Sequence, residues 1–254
     1  MESKINIVES LRKIDINPND LVMIHGNAGI AGQLSIRNSK SINLVQELIR
    51  QIHCSFSANG TIVVPSFTYS ATRNESYDKN STKSEVGLFS EEFRKYPGTI
   101  RSNHPIFSVS ALGKYAIKFK DSQIYDCFGE GSSFDLLYQL NGKIVFLGCS
   151  FNAATFTHYV EQKMSVPYRF LKKFKIINKD NKNETVSYYA RSVLSEDSEI
   201  DLNRLKRIAI EKNFLQVSEF GRFNFMSIKA KDFFHLAKNM IEVNEYALTK
   251  KGSK

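Results

Sequence analysis

Cysteine is scarce: Cys54, Cys127 and Cys149 are the three the chain has in 254 residues. Their odd number and long, irregular spacings build neither a disulfide framework nor a CxxC zinc site. A reducing cytoplasm is the compartment this usage predicts, with the thiols read as small buried side chains rather than reactive groups. No run approaches the roughly 20 apolar residues that cross a bilayer. The opening MESKINIVESLRKIDI has neither an apolar core nor a small-residue cleavage site, so no export signal and no membrane partner are expected. The five histidines, His25, His53, His104, His158 and His235, include no HExxH and no compact ligand spacing, so no metal is expected. The absence of G-x-S-x-G argues against a serine hydrolase. Acid is also short, with 26 Asp and Glu against 35 Lys and Arg and a net charge of +9. Such a surface attracts anions. The excess is dispersed, clustering only at Lys172, Lys173 and Lys175 and in the tail at Lys250, Lys251 and Lys254, and no nucleic-acid-binding motif accompanies it.

What is present is 42% apolar and alternates buried-looking runs with amphipathic stretches, the rhythm of an α/β layer structure. LVMIHG at 21–26 reads as a strand ending at Gly26, and 41–56 as a helix with Leu44, Val45, Leu48 and Ile52 on one face. Residues 59–69 read as a strand ended by Pro65, 84–97 as a helix, 107–113 as a strand and 131–140 as a helix capped by Ser132 or Ser133. Then come a buried strand at 141–150 and a helix at 155–164. After residue 165 two strands flank a polar turn from Lys179 to Asn183, and helices are predicted at 202–214 and 231–251. No repeat or linker divides the chain, so one domain over 1–254 is expected. FGRFNF at 220–225, with Phe233 and Phe234, would support a homodimer if exposed and a core if not.

Three segments hold residues that carry chemistry. HGNAGIAG at 25–32 sets three glycines after a strand, where backbone N–H groups can approach an anion; a tight strand-to-helix turn needs the same glycines. His158 and Glu161 stand three apart on a predicted helix and share a face. A carboxylate there can orient an imidazole for proton transfer near neutral pH, although this spacing also arises in purely structural helices. Arg101, Ser102, His104 and Ser108 surround Pro105 in a loop that suits an anionic cofactor or solvent equally.

Taken together, IHGNAGIAG at 24–32, GTIVVPSFTYS at 60–70, TIRSNHPIFSVSALG at 99–113 and VFLGCSFNAATFTHYVEQKMSVPYR at 145–169 resemble, in order, the motifs of the aminoglycoside 3-N-acetyltransferase family. The likeness covers about two-thirds of the chain and fades beyond about residue 170. It implies a three-layer α/β/α fold with a mixed central sheet, carrying a C-terminal hairpin and helical elaboration. It also implies coenzyme A as acyl carrier, with acyl transfer to a sugar amine in a ternary complex. By this resemblance His158 is the general base, Glu161 its support and Thr155 a donor to the developing oxyanion. His25, Gly26, Asn27, Gly29 and Gly32, with Arg101, Ser102, His104 and Ser108, would hold pantetheine and phosphates, and Ser66 and Thr68 would supply pocket hydroxyls.

Many family members carry an Asp and an Asn shortly before the threonine, where this chain has Asn152 and Ala154. With that acid missing and a charge of +9, the expected acceptor is an anionic, nucleotide-linked amino sugar, met by Lys172, Lys173 and Lys175 with Tyr188 and Tyr189. Residues 166–220 would then form the acceptor side. The alternatives are an aminoglycoside acceptor and a non-catalytic coenzyme A-binding protein.

Overall fold

The computed structural model describes residues 6–34, 43–177, 183–192 and 195–253. Apolar residues along short runs rich in Val and Ile fix the central layer. Strands β1 (Leu21–Gly26), β2 (Thr61–Pro65) and β5 (Lys143–Leu147) are buried over nearly their whole length, as strands covered on both faces must be. β1 lies between β2 and β5 and runs parallel to both. Antiparallel strands widen the sheet on either side. β4 (Val109–Gly113) pairs with β2 and carries β3 (Ile100–Arg101) at one edge; β9 (Phe223–Lys229) pairs with β5 and carries β8 (Gln216–Phe220) at the other. The order is β3-β4-β2-β1-β5-β9-β8.

Side chains alternate across a strand, and this sheet uses both faces. Val22, Ile24, Ile62, Val64, Val145 and Leu147 point to one face, covered by α1 (Ile7–Lys13), α2 (Leu44–His53) and α3 (Leu88–Arg94). Met23, Val63, Ile144 and Phe146 point to the other. They pack there beneath α4 (Ala116–Lys120), α5 (Ser133–Gln139), α6 (Phe156–Lys163), α7 (Asn203–Glu211) and α8 (Ala230–Val243). The result is the expected three-layer α/β/α arrangement around a mixed sheet. A separate hairpin, β6 (Arg169–Ile177) with β7 (Asn183–Arg191), pairs from Arg169 opposite Arg191 to Ile177 opposite Asn183. Ile176, Val186 and Tyr189 root it in the core shared by α5 and α6. The predicted turn falls mainly on 178–182, outside the described residues, as does Lys254.

Several elements differ from the sequence reading in instructive ways. The helix expected from Ser84 begins at Leu88 after Gly87, because the Ser84 N–H is held by the Glu91 carboxylate at 2.9 Å instead of opening a turn. Ser132, not Ser133, caps α5, accepting from the Asp135 N–H at 3.2 Å. The last helix stops at Val243, where Asn244 turns extended. Of the two readings of the C-terminal aromatics, the core one holds: Phe220 and Phe225 stack at 4.5 Å and are buried, as is Phe233. That observation removes the basis for the homodimer. Among the described residues no helix is long and apolar enough to cross a membrane, and no cluster of three His, Cys, Asp or Glu could hold a metal ion.

One glycine pins the sheet. Gly113 ends β4 at φ +111°, and a Cβ there would meet the Gly60 carbonyl oxygen at 2.2 Å, a backbone contact that cannot yield cheaply. Gly113→Ala is expected to cost about 2 kcal/mol or more through left-handed strain and steric displacement, read as a lowered urea midpoint at unchanged slope. An unchanged midpoint would show that the strand end relaxes freely.

Candidate active site

The three parallel strands deliver their carboxyl ends to one place, which is where open α/β sheets bind ligands. A cavity of about 310 Å³ opens there, walled by His25 and Gly26 from the end of β1, Pro65 from the end of β2 and Cys149 just after β5. Phe67, Tyr69, Val86 and Phe107 supply apolar wall, and Thr155, His158 and Tyr188 complete it. Gly26 is required because a Cβ would enter the Phe89 ring at 2.4 Å.

His158 sits in the first turn of α6 and reaches the cavity, while Glu161, one turn on, is fully buried behind it. The imidazole Nδ1 lies 2.8 Å from Glu161 Oε2. A carboxylate only accepts, so Nδ1 carries the hydrogen and Nε2 keeps its lone pair. Burial, then the nearby Arg169 charge, pull the His158 pKa below its ordinary value against the opposing pull of Glu161. The ring is therefore neutral at pH 7. Thr155 occupies the position before α6 in helical conformation, makes no capping bond with its side chain and lines the cavity.

Two residues that sequence reasoning passed over complete this cluster. Tyr168 donates its hydroxyl to Glu161 Oε1 at 2.9 Å, and Arg169 Nε lies 2.5 Å from Glu161 Oε2. The Arg169 side chain is 1% exposed and also donates to the Tyr189 carbonyl at 3.2 Å. The signal was the Tyr-Arg pair closing the VPYR run, two residues chemically unlike the apolar stretch in front of them.

The glycine loop is only partly at the site. Asn27 folds back on the backbone, accepting from the Gly29 N–H at 2.8 Å and donating to the Gly148 carbonyl at 3.2 Å. Neither Asn27, Gly29 nor Gly32 lines the cavity. His25 does. Burial pulls its pKa down to about 4, so it is a neutral ring, and its Nε2 is without a hydrogen-bond partner among the described residues.

The remaining candidates are turned away from the cavity. Past β2 the chain stays extended, and Pro65, Phe67 and Tyr69 face the cavity while Ser66 and Thr68 face inward. Ser66 bonds the Ser110 hydroxyl at 2.7 Å and Thr68 donates to the Pro105 carbonyl at 2.6 Å. The pocket hydroxyls were thus assigned one residue out of phase. Arg101 is likewise not a free charge partner: its guanidinium is buried over the Tyr77 ring and donates to Ser108 Oγ at 3.1 Å and to the carbonyls of Ser66 and Thr82. Ser102 accepts from the Val109 N–H at 2.9 Å, and His104 Nδ1 accepts from Ile106 and Phe107 N–H at 3.0 Å each. These side chains lock the loop that presents Phe107, a framing role in place of the expected phosphate contacts.

A second opening of about 350 Å³ meets the outer side of His158, lined by Asn152, Arg169, Tyr188, Arg191, Glu199 and Ile200. Asn152 uses its side-chain carbonyl to accept from the Leu202 N–H at 2.9 Å, fixing the entry to α7. The acid on this wall is Glu199, which pairs with Lys250 at 2.8 Å. Lys172, Lys173 and Lys175 line neither opening. The cysteines divide as well: Cys127 is buried, Cys54 is exposed against expectation, and Cys149 is half-buried at the cavity. Burial pushes the Cys149 thiol up to about 11, so it stays protonated and is no nucleophile at neutral pH.

The family model described as aminoglycoside 3-N-acetyltransferase matches residues 34–242. The SPbeta prophage-derived aminoglycoside N(3')-acetyltransferase-like protein YokD of Bacillus subtilis is 26% identical over 200 residues, covering 70% of this chain and 68% of that protein. Aminoglycoside N(3)-acetyltransferase III of a Salmonella species is 22% identical over 190 residues, covering 66% of this chain but only 63% of its own length. Among solved structures, that of AAC-IIIb in binary complex with CoASH superposes with a TM-score of 0.77 at 18% identity, over 93% of this chain and 94% of that one. With most of its length under the family model and the fold reproduced, this chain belongs to the aminoglycoside 3-N-acetyltransferase family.

Proposed function

We propose that this protein is an N-acetyltransferase that moves an acetyl group from acetyl-coenzyme A to an amine of an aminoglycoside-type amino sugar. The observation that carries the reading is His158: a neutral imidazole, fixed by Glu161, with Nε2 free to take a proton at the wall of a cavity at the strand ends. The apolar lining from Pro65, Phe67, Val86 and Phe107 suits a pantetheine arm, and the bare Gly26 backbone allows close approach.

Coenzyme A supplies the acetyl group as an activated thioester. His158 Nε2 removes a proton from the acceptor amine as its nitrogen bonds to the acyl carbon; the carbon–sulfur bond then breaks, and the departing sulfur takes up that proton. Thr155, which lines the same cavity, is the residue whose hydroxyl would donate to the oxygen on which charge develops. Cys149 stays a thiol, in keeping with direct transfer inside a ternary complex. Residues 166–220 act as the acceptor side, since Arg169, Tyr188, Arg191, Glu199 and Ile200 wall the second opening.

The relatives' names favour an aminoglycoside. No relative described above supports the nucleotide-linked acceptor. A second reading, an amino sugar with an acidic substituent, is favoured by Arg191 in the wall of the second opening. Mixing the protein with acetyl-coenzyme A and, in turn, gentamicin, glucosamine and glucosamine 6-phosphate, and following free-thiol release, separates them. Fastest release with gentamicin is expected. Fastest release with the phosphorylated sugar moves the assignment to the acidic acceptor, and no release above background with any amine ends the acyl-transfer reading.

A further inference from the structure

The base and its carboxylate are not alone: a guanidinium whose side chain is 1% exposed sits on the same carboxylate oxygen. We propose that Arg169 is a positioning residue for the catalytic pair, holding Glu161 so that the carboxylate orients the His158 ring without trapping a proton on it. The proposal deepens the acyl-transfer reading and rests on His158 being its base.

A buried carboxylate 2.8 Å from an imidazole would by itself favour the imidazolium, which has no lone pair left to accept the amine proton. The Arg169 Nε at 2.5 Å from the same Oε2 makes Glu161 and Arg169 a neutral pair, and Tyr168 fills the other oxygen at 2.9 Å. Around the ring stand Glu161 from α6, Tyr168 and Arg169 at the root of β6, Tyr188 and Arg191 from β7, His25 from β1, Tyr69 after β2 and Cys149 after β5. His25 and Cys149 are neutral at pH 7, and burial pushes Tyr69 and Tyr188 up, keeping them neutral too. Glu199 in the outer wall is taken by Lys250. The charges that act on the ring are therefore one anion, Glu161, against two cations, Arg169 and Arg191, and Arg169 is the one in contact with the anion.

The geometry also ties the base to the hairpin. Arg169 is the first residue of β6, and its Nη1 holds the Tyr189 carbonyl of β7, so the strand pair and the catalytic carboxylate share one side chain. A residue that merely packs would affect folding and leave the ring's proton affinity alone. Arg169 should change both.

The test is the titration of the His158 ring, followed by NMR on isotope-labelled full-length protein without ligands, in wild type, Arg169→Met and Arg169→Lys. Loss of the charge is expected to raise the His158 midpoint by about one pH unit or more, and the lysine variant should return most of the way. The acid limb of kcat/KM for thiol release should move up with it. If Arg169→Met does not fold, Arg169→Gln places a neutral polar side chain there and is read in the same way. A His158 midpoint unmoved in the folded neutral variant overturns the proposal, whatever the activity. A raised midpoint in a protein that releases no thiol with any amine upholds the charge arrangement and overturns only the acyl-transfer reading. Thiol release whose acid limb stays in place upholds that reading and overturns this one.

Discussion

Replacing His158 with alanine is expected to lower thiol release from acetyl-coenzyme A by about 10²–10⁴-fold, the usual worth of a positioned base, while the chain stays folded. The ring is partly exposed at a cavity wall and its main tie is the Nδ1 bond to Glu161, so its removal opens space at the surface of the core rather than within it. Far-ultraviolet circular dichroism and the urea midpoint should therefore change little. The wild-type pH profile gives the same role a second reading. Burial, then the Arg169 charge, hold His158 below the ordinary histidine value, so its contribution to the acid limb of kcat/KM should lie below about pH 6.5, where acid protonates Nε2. A variant with undiminished rate would remove His158 from the chemistry.

The second large effect is on stability. Glu161→Ala is expected to cost about 3–5 kcal/mol, the range for breaking a buried ion pair from one side. The carboxylate is fully buried and receives three partners, His158, Tyr168 and Arg169. Its loss strands the Arg169 guanidinium, 1% exposed, among groups that cannot neutralise it. The double variant Glu161→Ala/Arg169→Met should recover much of that loss, because it removes the lone buried charge as well. Denaturant unfolding of both variants decides it. If the single change costs less than about 1 kcal/mol, water or a rearranged partner reaches Arg169 and the cluster is looser than its distances imply.

The sequence was most legible where one rule acted alone. LVMIHG became β1 over its predicted span, because an unbroken apolar run ending at glycine leaves few other options. The His158 and Glu161 pair was readable because three-residue spacing on a helix dictates a shared face. Legibility failed where a choice of face or partner was made by tertiary contacts. Ser66 and Thr68 differ from Pro65 and Phe67 by one step in an extended chain, and only the position of the cavity says which step matters. Arg101 looked like a ligand for phosphate because its charge is visible in sequence, while the carbonyls of Ser66 and Thr82 that consume it are not. The hairpin of β8 and β9 was hidden in FGRFNF, where aromatics suit surface and core equally until β9 is seen paired along β5. Arg169 was missed for the complementary reason: nothing local announces that its partner is eight residues back in a neighbouring helix.

The root of β6 gives the enzyme a division of labour. Buried Arg169 at its start grips Glu161, the partner of His158, whereas the residues that follow it, Phe170, Leu171, Lys172 and Lys173, are exposed. Substitutions at those exposed residues leave the contact between Arg169 and Glu161 in place, and substitutions at Arg169 cannot. One side chain thus couples the start of a strand pair to the carboxylate beside the imidazole, while the residues that follow it in sequence face solvent.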